Sequence, residues 1–320
     1  MANCHFCFQT YHGKIALTAT KRGNLKTSRD ALRDRIRNHF KEARKEKVPI
    51  FWGQGSYAMR TTVNPLSGEY DVDDGVYLQN LDSDKDKWPS PEAVHKWIVD
   101  AVDGQTNETI DKRTCVRVRY AGQYHVDLPI YGEYEDTHYL AEKGGAGWHE
   151  SDPKKLIEWF KEEISTKGDQ LRRVVRYLKA WADYQSAENG EMPSGVFLTV
   201  LATEEFCGDD RDDICFSRTI RNIHWRIQAE PFSVWNPIDK AEDLAARLSD
   251  RQRTAFRECI AALRDDADLS VQEDSRKAAC EIWREQFGPR FPQCEDEKKD
   301  GDKARITAAP AILKDDARSA

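Results

Sequence analysis

The sequence lacks the features that mark membrane, secreted and polynucleotide-coating proteins. In its 320 residues no apolar run approaches the roughly 18 residues that a membrane span needs, and the N-terminus has no hydrophobic signal core. Lysine and arginine number 49 against 56 acidic residues, so the net charge is -7 and offers no general basic surplus for nucleic acid. No internal repeat is visible. We therefore expect a cytoplasmic globular protein that binds neither a membrane nor an extended nucleic acid.

Cysteine is too sparse for a disulfide framework. The chain has 8 cysteines scattered along its length, which we expect to be reduced. Cys4 and Cys7 form a C-x-x-C motif with His5 between them and His12 nearby, which could begin a zinc site. No second C-x-x-C or H-x-x-x-H motif follows, so the favoured interpretation is a mobile terminus that carries small apolar side chains.

Hydrophobic periodicity divides the chain into a mixed lobe and a helical lobe. Apolar residues at four-residue spacing follow a candidate N-cap at Ser28, which predicts an amphipathic helix over 28–46. From Asp152 onward the pattern is helical, and the acidic run 204–213 is expected in a solvated loop. Strands are predicted over 48–52, 69–78, 114–120 and 124–131, with a hairpin turn at Ala121 and Gly122 and a strand end or sheet edge at Pro129.

Two aspartates on one strand form the strongest candidate site. Asp71 and Asp73 are two residues apart, so their side chains project from the same face of the strand, opposite to Val72. The two carboxylates repel each other unless a divalent cation lies between them, and their oxygens suit Mg²⁺. Asp127 interrupts the apolar pattern of its own strand in the same way. Three carboxylates could therefore converge on a metal.

A glycine-containing turn precedes this strand. Two glycines, the second being Gly55, allow a sharp turn from a buried strand into a short helix. Backbone N–H groups at Gly55 and the Ser56 hydroxyl can hold a terminal phosphate. Asp71 and Asp73 would then hold the metal that bridges the other phosphates.

The order of these motifs resembles the DNA polymerase β-like nucleotidyltransferase superfamily and, within it, the bacterial cGAS/DncV-like nucleotidyltransferases, or CD-NTases. The resemblance extends from about residue 28 to 290. It implies an α+β fold with a polymerase β-like, mixed-sheet lobe, a mainly helical second lobe and an active site in the cleft between them. The runs that carry it are Gln54–Tyr57, Asp71–Tyr77, His125–Pro129 and Lys179–Trp181. We place the catalytic lobe, with an N-terminal helix, at 1–150, the helical lobe at 151–294 and a disordered tail at 295–320.

The resemblance implies a cyclic oligonucleotide synthase of CBASS anti-phage defence. Such an enzyme joins ribonucleoside triphosphates, ATP among them, into a cyclic di- or trinucleotide and releases pyrophosphate. Asp71, Asp73 and Asp127 would be the catalytic triad and hold two Mg²⁺ ions, with Mn²⁺ as a substitute. Asp127 would also accept the proton of the attacking hydroxyl. The nucleotide contacts that the resemblance implies are Gln54, Gly55, Ser56, Tyr57, Ser151, Lys179 and Ser194.

Several nearby residues keep two interpretations. Arg117 and Arg119 could meet the acceptor nucleotide or pair with nearby acids. His125 could line the cleft or form a cross-strand hydrogen bond, and Trp148 could stack on a base or pack between the lobes. Lys179 has the alternative of being an exposed, solvated lysine on an amphipathic helix.

Two other functions stay open at this point. One is nucleotide transfer to an RNA 3′ end or a protein hydroxyl, although the acidic chain offers no extended basic track for RNA. The other is a catalytically silent nucleotide-binding module, against which the three aspartates argue. A CBASS regulatory partner could engage the tail that ends at Ser319 and Ala320. Base identity, linkage and ring size are not determined by the sequence.

Overall fold

Ten α-helices and eight strands make up the part of the chain that the computed structural model describes, which is residues 1–66, 69–120 and 123–295. The helices are α1 (His5–Ile15), α2 (Ala19–Asn38), α3 (Gly55–Met59), α4 (Pro91–Val102), α5 (Pro153–Lys167), α6 (Asp169–Asn189), α7 (Gly195–Glu204), α8 (Asp212–Ile227), α9 (Asp250–Gln272) and α10 (Arg276–Phe287). The strands are β1 (Ile50–Gln54), β2 (Tyr70–Tyr77), β3 (Glu108–Asp111), β4 (Val116–Tyr120), β5 (Tyr124–Leu128), β6 (Ile130–Tyr134), β7 (Thr137–Glu142) and β8 (Gly147–Glu150). The predicted turn at Ala121 and Gly122 and the predicted tail beyond Glu295 lie outside the described residues.

All eight strands belong to one mixed sheet, in which β2 is central. β1 pairs antiparallel with β2, while β5 and β6 both pair parallel with it. β3 and β4 extend the sheet beyond β5, and β7 and β8 extend it beyond β6. A mixed sheet followed by a set of helices confirms the predicted α+β fold class.

Pro129 interrupts a strand that runs along β2. β5 ends one residue before Pro129 and β6 begins one residue after it, and both keep the same offset to β2. Proline has no N–H to donate to the ladder, but its carbonyl still accepts a hydrogen bond from the N–H of Val76 at 2.8 Å. The predicted strand end at Pro129 is therefore confirmed.

The helix α2 begins earlier than the predicted helix over 28–46 and ends at Asn38, after which a π-helical segment covers His39–Arg44. It begins at Ala19, where the Thr18 hydroxyl accepts a hydrogen bond from the N–H of Lys21 and caps the helix. Ser28 lies inside the helix and is buried, and its hydroxyl hydrogen-bonds to that of Tyr124 at 2.9 Å. The N-cap prediction for Ser28 is wrong because this buried polar residue interrupts an apolar stripe that starts earlier.

The helical lobe has its own core, which includes the start of the chain. Phe8 of α1 is fully buried and meets aromatic rings of α6, α8 and α10 edge-on or tilted. Cys4 and Cys7 are buried with it, so the prediction of a mobile terminus is wrong. The division of the chain at residue 150 stays a prediction; α1, which that division groups with the sheet, packs in the helical core.

The acidic run 204–213 reaches into α8 and is partly internal. Asp212 and Asp213 are almost fully buried, and each pairs with an arginine, Arg173 at 2.7 Å and Arg211 at 2.5 Å. The predicted solvated loop is therefore wrong at these two positions, because the ion pairs offset the cost of burying the carboxylates. Among the described helices, none is both long enough and apolar enough to span a bilayer.

Candidate active site

The aspartates of the D-x-D motif lie where β1, β2 and β5 meet. Asp73 is opposite Gln54 of β1 on one side and Asp127 of β5 on the other. Asp71 precedes it by two residues on the same face of β2, whereas the fully buried Asp74 points to the opposite face. The register of β2 and β5 thus brings the three aspartates predicted from the sequence to one patch of the sheet.

Burial and neighbouring negative charges make ionisation of Asp71 and Asp73 unfavourable. Burial, followed by the negative charges of Asp71 and Asp127, raises the pKa of Asp73 to about 8. Burial also raises the pKa of Asp71, although the neighbouring His125 opposes that shift. Two carboxylates in this environment are stable as anions only when a cation neutralises them. Their hard oxygen ligands fit a divalent cation such as Mg²⁺.

The third carboxylate, Asp127, is held by an arginine. Nε and Nη2 of Arg117 each donate to one oxygen of Asp127 at 2.7 Å, and this bidentate contact raises the pKa of Arg117. One oxygen each from Asp71, Asp73 and Asp127 do not all lie within 4.8 Å of one another. A metal shared by all three would therefore require at least one of these side chains to shift. The structure therefore supports the interpretation in which Arg117 pairs with a nearby acid.

The glycine turn lies directly against the D-x-D pair. Gly55 has φ +62, and a Cβ added there would lie 2.1 Å from Oδ2 of Asp73. Only glycine combines this backbone conformation with such a close approach. The next residue, Ser56, shares a hydrogen bond of 2.9 Å between its hydroxyl and that of Thr62. The turn therefore presents a hydroxyl and free space beside the carboxylates.

The helical lobe contributes Lys179 across the cleft. Its Nζ donates to Oγ1 of Thr61 at 3.2 Å. Burial lowers the pKa of Lys179 to about 8, while the charge of Asp71 opposes this shift. Lys179, Gly55 and Asp73 line one cleft of about 420 Å³. Because Lys179 is half-buried in this cleft, the alternative of an exposed, solvated lysine is wrong.

Two predicted nucleotide contacts, Ser194 and Ser151, do not themselves line the cleft. Ser194 is exposed and caps α7, where its hydroxyl accepts a hydrogen bond from the N–H of Phe197 at 3.4 Å; the next residue, Gly195, lines the cleft. Ser151 follows β8, and its N–H donates to the carbonyl of His138 at 3.0 Å. Ser151 is not among the residues that line the cleft.

The other two predicted nucleotide contacts, Gln54 and Tyr57, also lie outside the lining of the cleft. Gln54 is buried, and its amide donates to the hydroxyl of Tyr77 at 2.9 Å and accepts from that of Tyr131 at 3.2 Å. Both ends of its side-chain amide are therefore used within the protein. Tyr57 lines a separate surface depression with Arg22 and does not line the main cleft.

The other residues that kept two interpretations, Arg119, His125 and Trp148, have partners within the protein. Arg119 pairs with Glu69 at 3.0 Å and with Glu108 at 2.6 Å. His125 Nδ1 lies 3.0 Å from a Glu69 oxygen. Trp148 donates its indole N–H to the carbonyl of Pro89 at 2.9 Å and packs on the sheet side of the molecule. These contacts favour pairing with acids for Arg119 and a hydrogen bond for His125. Trp148 packs within the sheet lobe, and the contacts found do not support the prediction that it packs between the lobes.

Sequence reasoning missed several polar residues of the cleft. Thr61, Thr62 and Thr199 line it, as does Glu69. Thr61 and Thr62 follow a left-handed residue, Arg60, that ends α3. Because their role depends on the direction of the chain after that residue, only their closeness to Ser56 in the sequence could have suggested them.

Comparison with known proteins extends the resemblance. Residues 49–131 match the family model described as "Cyclic GMP-AMP synthase DncV-like, nucleotidyltransferase domain". A cyclic GMP-AMP synthase of Escherichia albertii is 27% identical over 248 residues, covering 72% of this chain and 55% of that relative. A c-di-GMP synthase of Roseivirga ehrenbergii is 26% identical over 229 residues, covering 60% of this chain and 59% of the relative. The chain thus spans somewhat more than half the length of these curated relatives.

Solved structures match most of the chain. The apo form of Vibrio cholerae DncV superimposes with a TM-score of 0.77 at 22% identity, covering 91% of this chain and 96% of that one. The same protein in complex with the linear intermediate 5′ pppA(3′,5′)pG gives 0.76 at 22% identity, covering 91% and 98%. These matches establish the DncV fold for this chain, and the resemblance to the cGAS/DncV-like nucleotidyltransferases is confirmed.

Proposed function

We propose, on the premise that residues 49–131 form a DncV-like nucleotidyltransferase domain, that this protein joins ribonucleoside triphosphates into a cyclic dinucleotide. The observation that carries the proposal is the carboxylate pair of Asp71 and Asp73. It faces the Gly55 turn on its own lobe and Lys179 on the other lobe, within one cleft. Carboxylates, a glycine turn and a half-buried lysine together suit a metal-bound triphosphate.

Each bond-forming step transfers one nucleotidyl group. A ribose hydroxyl oxygen attacks the α-phosphorus of a triphosphate, the bond to the oxygen that bridges the α- and β-phosphates breaks, and pyrophosphate leaves. Two such steps, the second within the linear intermediate, convert two triphosphates into one cyclic dinucleotide and two pyrophosphates. The hydroxyl proton passes to an acceptor in the site, for which we propose Asp127.

The side chains of the cleft have separate roles in this proposal. Asp71, Asp73 and Asp127 would hold Mg²⁺, which when bound neutralises charge on the triphosphate and activates the attacking hydroxyl. Lys179 adds positive charge on the opposite side of the phosphates. Arg117 keeps the Asp127 carboxylate oriented through its two hydrogen bonds. The transfer then depends mainly on positioning and on charge neutralisation.

The terminal phosphate would lie against the turn at Gly55. Ser56 offers its hydroxyl there, and the hydroxyl oxygen is held 2.9 Å from that of Thr62. The cleft volume of about 420 Å³ lies in the range of small-ligand pockets. Ser194 beside the cleft and Ser151 farther from it stay proposed nucleotide contacts, whereas Gln54 and Tyr57 would act by supporting the turn.

The cyclic dinucleotide is favoured as the product by the relatives. Two of them are named cyclic GMP-AMP synthase and c-di-GMP synthase, and a similar solved structure holds a linear dinucleotide intermediate. A role in CBASS anti-phage signalling, with a regulatory partner at the C-terminal tail, belongs to the same proposal. It predicts that phage infection raises the amount of the dinucleotide in the cell.

The proposal is tested by following the α-phosphate of each nucleotide. We expect the purified chain, incubated with Mg²⁺ and α-labelled ribonucleoside triphosphates, to form a small labelled product that resists phosphatase. The double variant Asp71→Asn, Asp73→Asn should form none. Asp100→Asn is the matched control, because Asp100 pairs only with Lys96 on the surface of α4 among the contacts described, and its product should match that of the unaltered chain.

Two outcomes would contradict the proposal. Label that precipitates with RNA or protein would indicate transfer to a macromolecule. Nucleotide binding with no label transfer, in protein from infected and uninfected cells alike, would indicate a silent binding module.

A further inference from the structure

Thiols from both ends of the described chain meet in the helical lobe. Cys4 and Cys7 lie at the start of α1, and Cys280 lies on α10. The Sγ of Cys280 is 3.9 Å from that of Cys4 and 3.4 Å from that of Cys7. All three Sγ atoms lie within 4.8 Å of one another, and all three residues are buried. Within the described ranges, no other three potential metal ligands are found so close together.

A fourth cysteine lies beside this group. Cys294 follows α10 and packs, partly buried, against the same core. Its thiol interacts with those of Cys280 and Cys7, and its Sγ also lies 3.9 Å from the carbonyl oxygen of Pro292. Cys294 is not in the group whose sulfurs all lie within 4.8 Å of one another, so it would have to turn toward the other three to become a fourth ligand. The approach of this segment is fixed by Phe291, whose ring stacks on Phe287 at 5.6 Å.

The sulfur distances suit a tetrahedral metal better than a disulfide. Zinc binds cysteine sulfur at about 2.3 Å, so two sulfurs of a tetrahedral site are about 3.8 Å apart. The distances of 3.9 Å and 3.4 Å lie on either side of that value. A disulfide would need about 2.05 Å between the sulfurs.

The backbone next to the thiols is also held in place. The backbone N–H of Cys4 donates to the buried Asp213 at 3.0 Å, which fixes this part of the chain beside α8.

The two histidines near the motif have other partners. Nδ1 of His5 accepts a hydrogen bond from the N–H of Asp212 at 2.9 Å. Nε2 of His12 lies 2.6 Å from a guanidinium nitrogen of Arg176. The ligands available to a metal are therefore sulfurs alone.

We propose that Cys4, Cys7, Cys280 and Cys294 bind one structural Zn²⁺ ion as a tetrathiolate. Binding displaces the thiol protons to solvent, with no change of oxidation state. The ion would connect α1 to α10 and to the segment after it. It would thereby stabilise the helical lobe that carries Lys179. The site is separate from the proposed active site and does not depend on the proposed function.

The test measures metal in the full chain purified without chelators. We expect about one zinc per chain by mass spectrometry of the elements, and X-ray absorption with sulfur ligands only, at about 2.3 Å. Cys280→Ala should lose the zinc. Cys215→Ala is the matched control, because Cys215 is equally buried on α8 but lies outside the cluster, and it should keep the zinc. If Cys280→Ala fails to fold, Co²⁺ bound to the unaltered chain should give the absorption bands of a tetrahedral thiolate site.

Three results would overturn the proposal. One is an unaltered, reduced chain that contains no zinc and takes up neither Zn²⁺ nor Co²⁺. Another is a disulfide between Cys280 and either Cys4 or Cys7. The last is zinc that survives in Cys280→Ala but is lost in Asp71→Asn, Asp73→Asn, since that metal would lie in the active-site cleft.

Discussion

At the scale of single residues, the closest contact of the candidate site is that between Gly55 and Asp73. A Cβ at position 55 would meet Oδ2 of Asp73 at 2.1 Å and its Cγ at 3.1 Å, and the φ of +62 is unfavourable for alanine. We expect Gly55→Ala to displace the carboxylate and to reduce pyrophosphate release about a hundredfold. The backbone strain should also lower the free energy of unfolding by about 1–2 kcal/mol. Initial rates and urea unfolding measure the two effects.

Gly23→Ala is the control for this substitution. Gly23 lies in the helix α2, and an added Cβ would meet nothing within 4 Å. We expect an unchanged rate and a gain in unfolding free energy of roughly 0.5–1 kcal/mol. A Gly55→Ala variant that is as active as Gly23→Ala would show that Asp73 and the turn do not need to touch.

Two cleft residues with shifted pKa values predict the pH dependence of the reaction. Asp73, with its pKa raised to about 8, must lose its proton to bind a cation, so kcat/KM should rise as the pH approaches 8 from below. Lys179, with its pKa lowered to about 8, loses its positive charge above that pH, so kcat/KM should then fall. A narrow maximum near pH 8 is expected at Mg²⁺ concentrations well below saturation, because saturating Mg²⁺ displaces the proton of Asp73 and moves the acidic limb to lower pH. Rate measurements across the pH range test it.

Lys179→Arg separates the two limbs of that profile. Arginine stays charged at every pH used, so the fall on the alkaline side should disappear while the rise on the acidic side stays. An alkaline limb that is unchanged in Lys179→Arg would assign it to another group.

The residue-scale predictions succeeded where a side chain's direction follows from the strand itself. Alternation along β2 was enough to place Asp71 and Asp73 on one face. It could not decide between the two interpretations of Arg117, because that depends on register: Arg117 lies directly opposite Asp127 in the β4–β5 pair. The location of Thr61 and Thr62 in the cleft depends on the path of the chain after α3, which the local sequence does not determine.

At the scale of the elements, an ion pair fixes α2 to the back of β2. Nε of Arg33 donates to one oxygen of Asp74 at 2.7 Å, and Asp74 is fully buried. We expect Arg33→Met to leave this carboxylate unpaired and to lower the free energy of unfolding by about 3–5 kcal/mol. Urea unfolding followed by circular dichroism measures the change.

Arg37→Met is a matched control for that substitution. Arg33 and Arg37 both lie over the ring of Phe51, at 5.5 Å and 5.0 Å, so each loses a similar packing contact. The acid partner of Arg37 is Asp34, whose side chain is 71% exposed, and the loss should stay below about 1 kcal/mol. Equal losses in both variants would mean that burial of Asp74 carries no special cost.

Element boundaries were predictable where the backbone itself sets them. Pro129 stops a strand because it lacks an N–H, whatever surrounds it. The start of α2 was missed because Ser28 is a polar residue on the buried stripe, held there by Tyr124 of β5. A sequence pattern counts such a residue as exposed, so it predicts a helix start that is too late in the chain.

At the scale of the whole molecule, the two lobes meet around the glycine turn. Arg172 of α6 donates to the carbonyl of Met59 at 3.1 Å, and Lys179 of the same helix reaches Thr61. These contacts place the α6 lysine across the cleft from Asp71 and Asp73. The motifs arranged in order were enough to predict this architecture through the family resemblance. The thiol cluster was not predictable, because Cys280 is distant in sequence from the Cys4 and Cys7 motif that it joins.

The mass of the reaction product tests the central claim most directly. After incubation of the purified chain with the four ribonucleoside triphosphates and Mg²⁺, we expect a dinucleotide with two phosphates and no free phosphate end. Two pyrophosphates should be released per product, and neither should appear with Asp71→Asn, Asp73→Asn. A product that stays linear, is attached to RNA or protein, or is made equally well by the double variant would contradict the account.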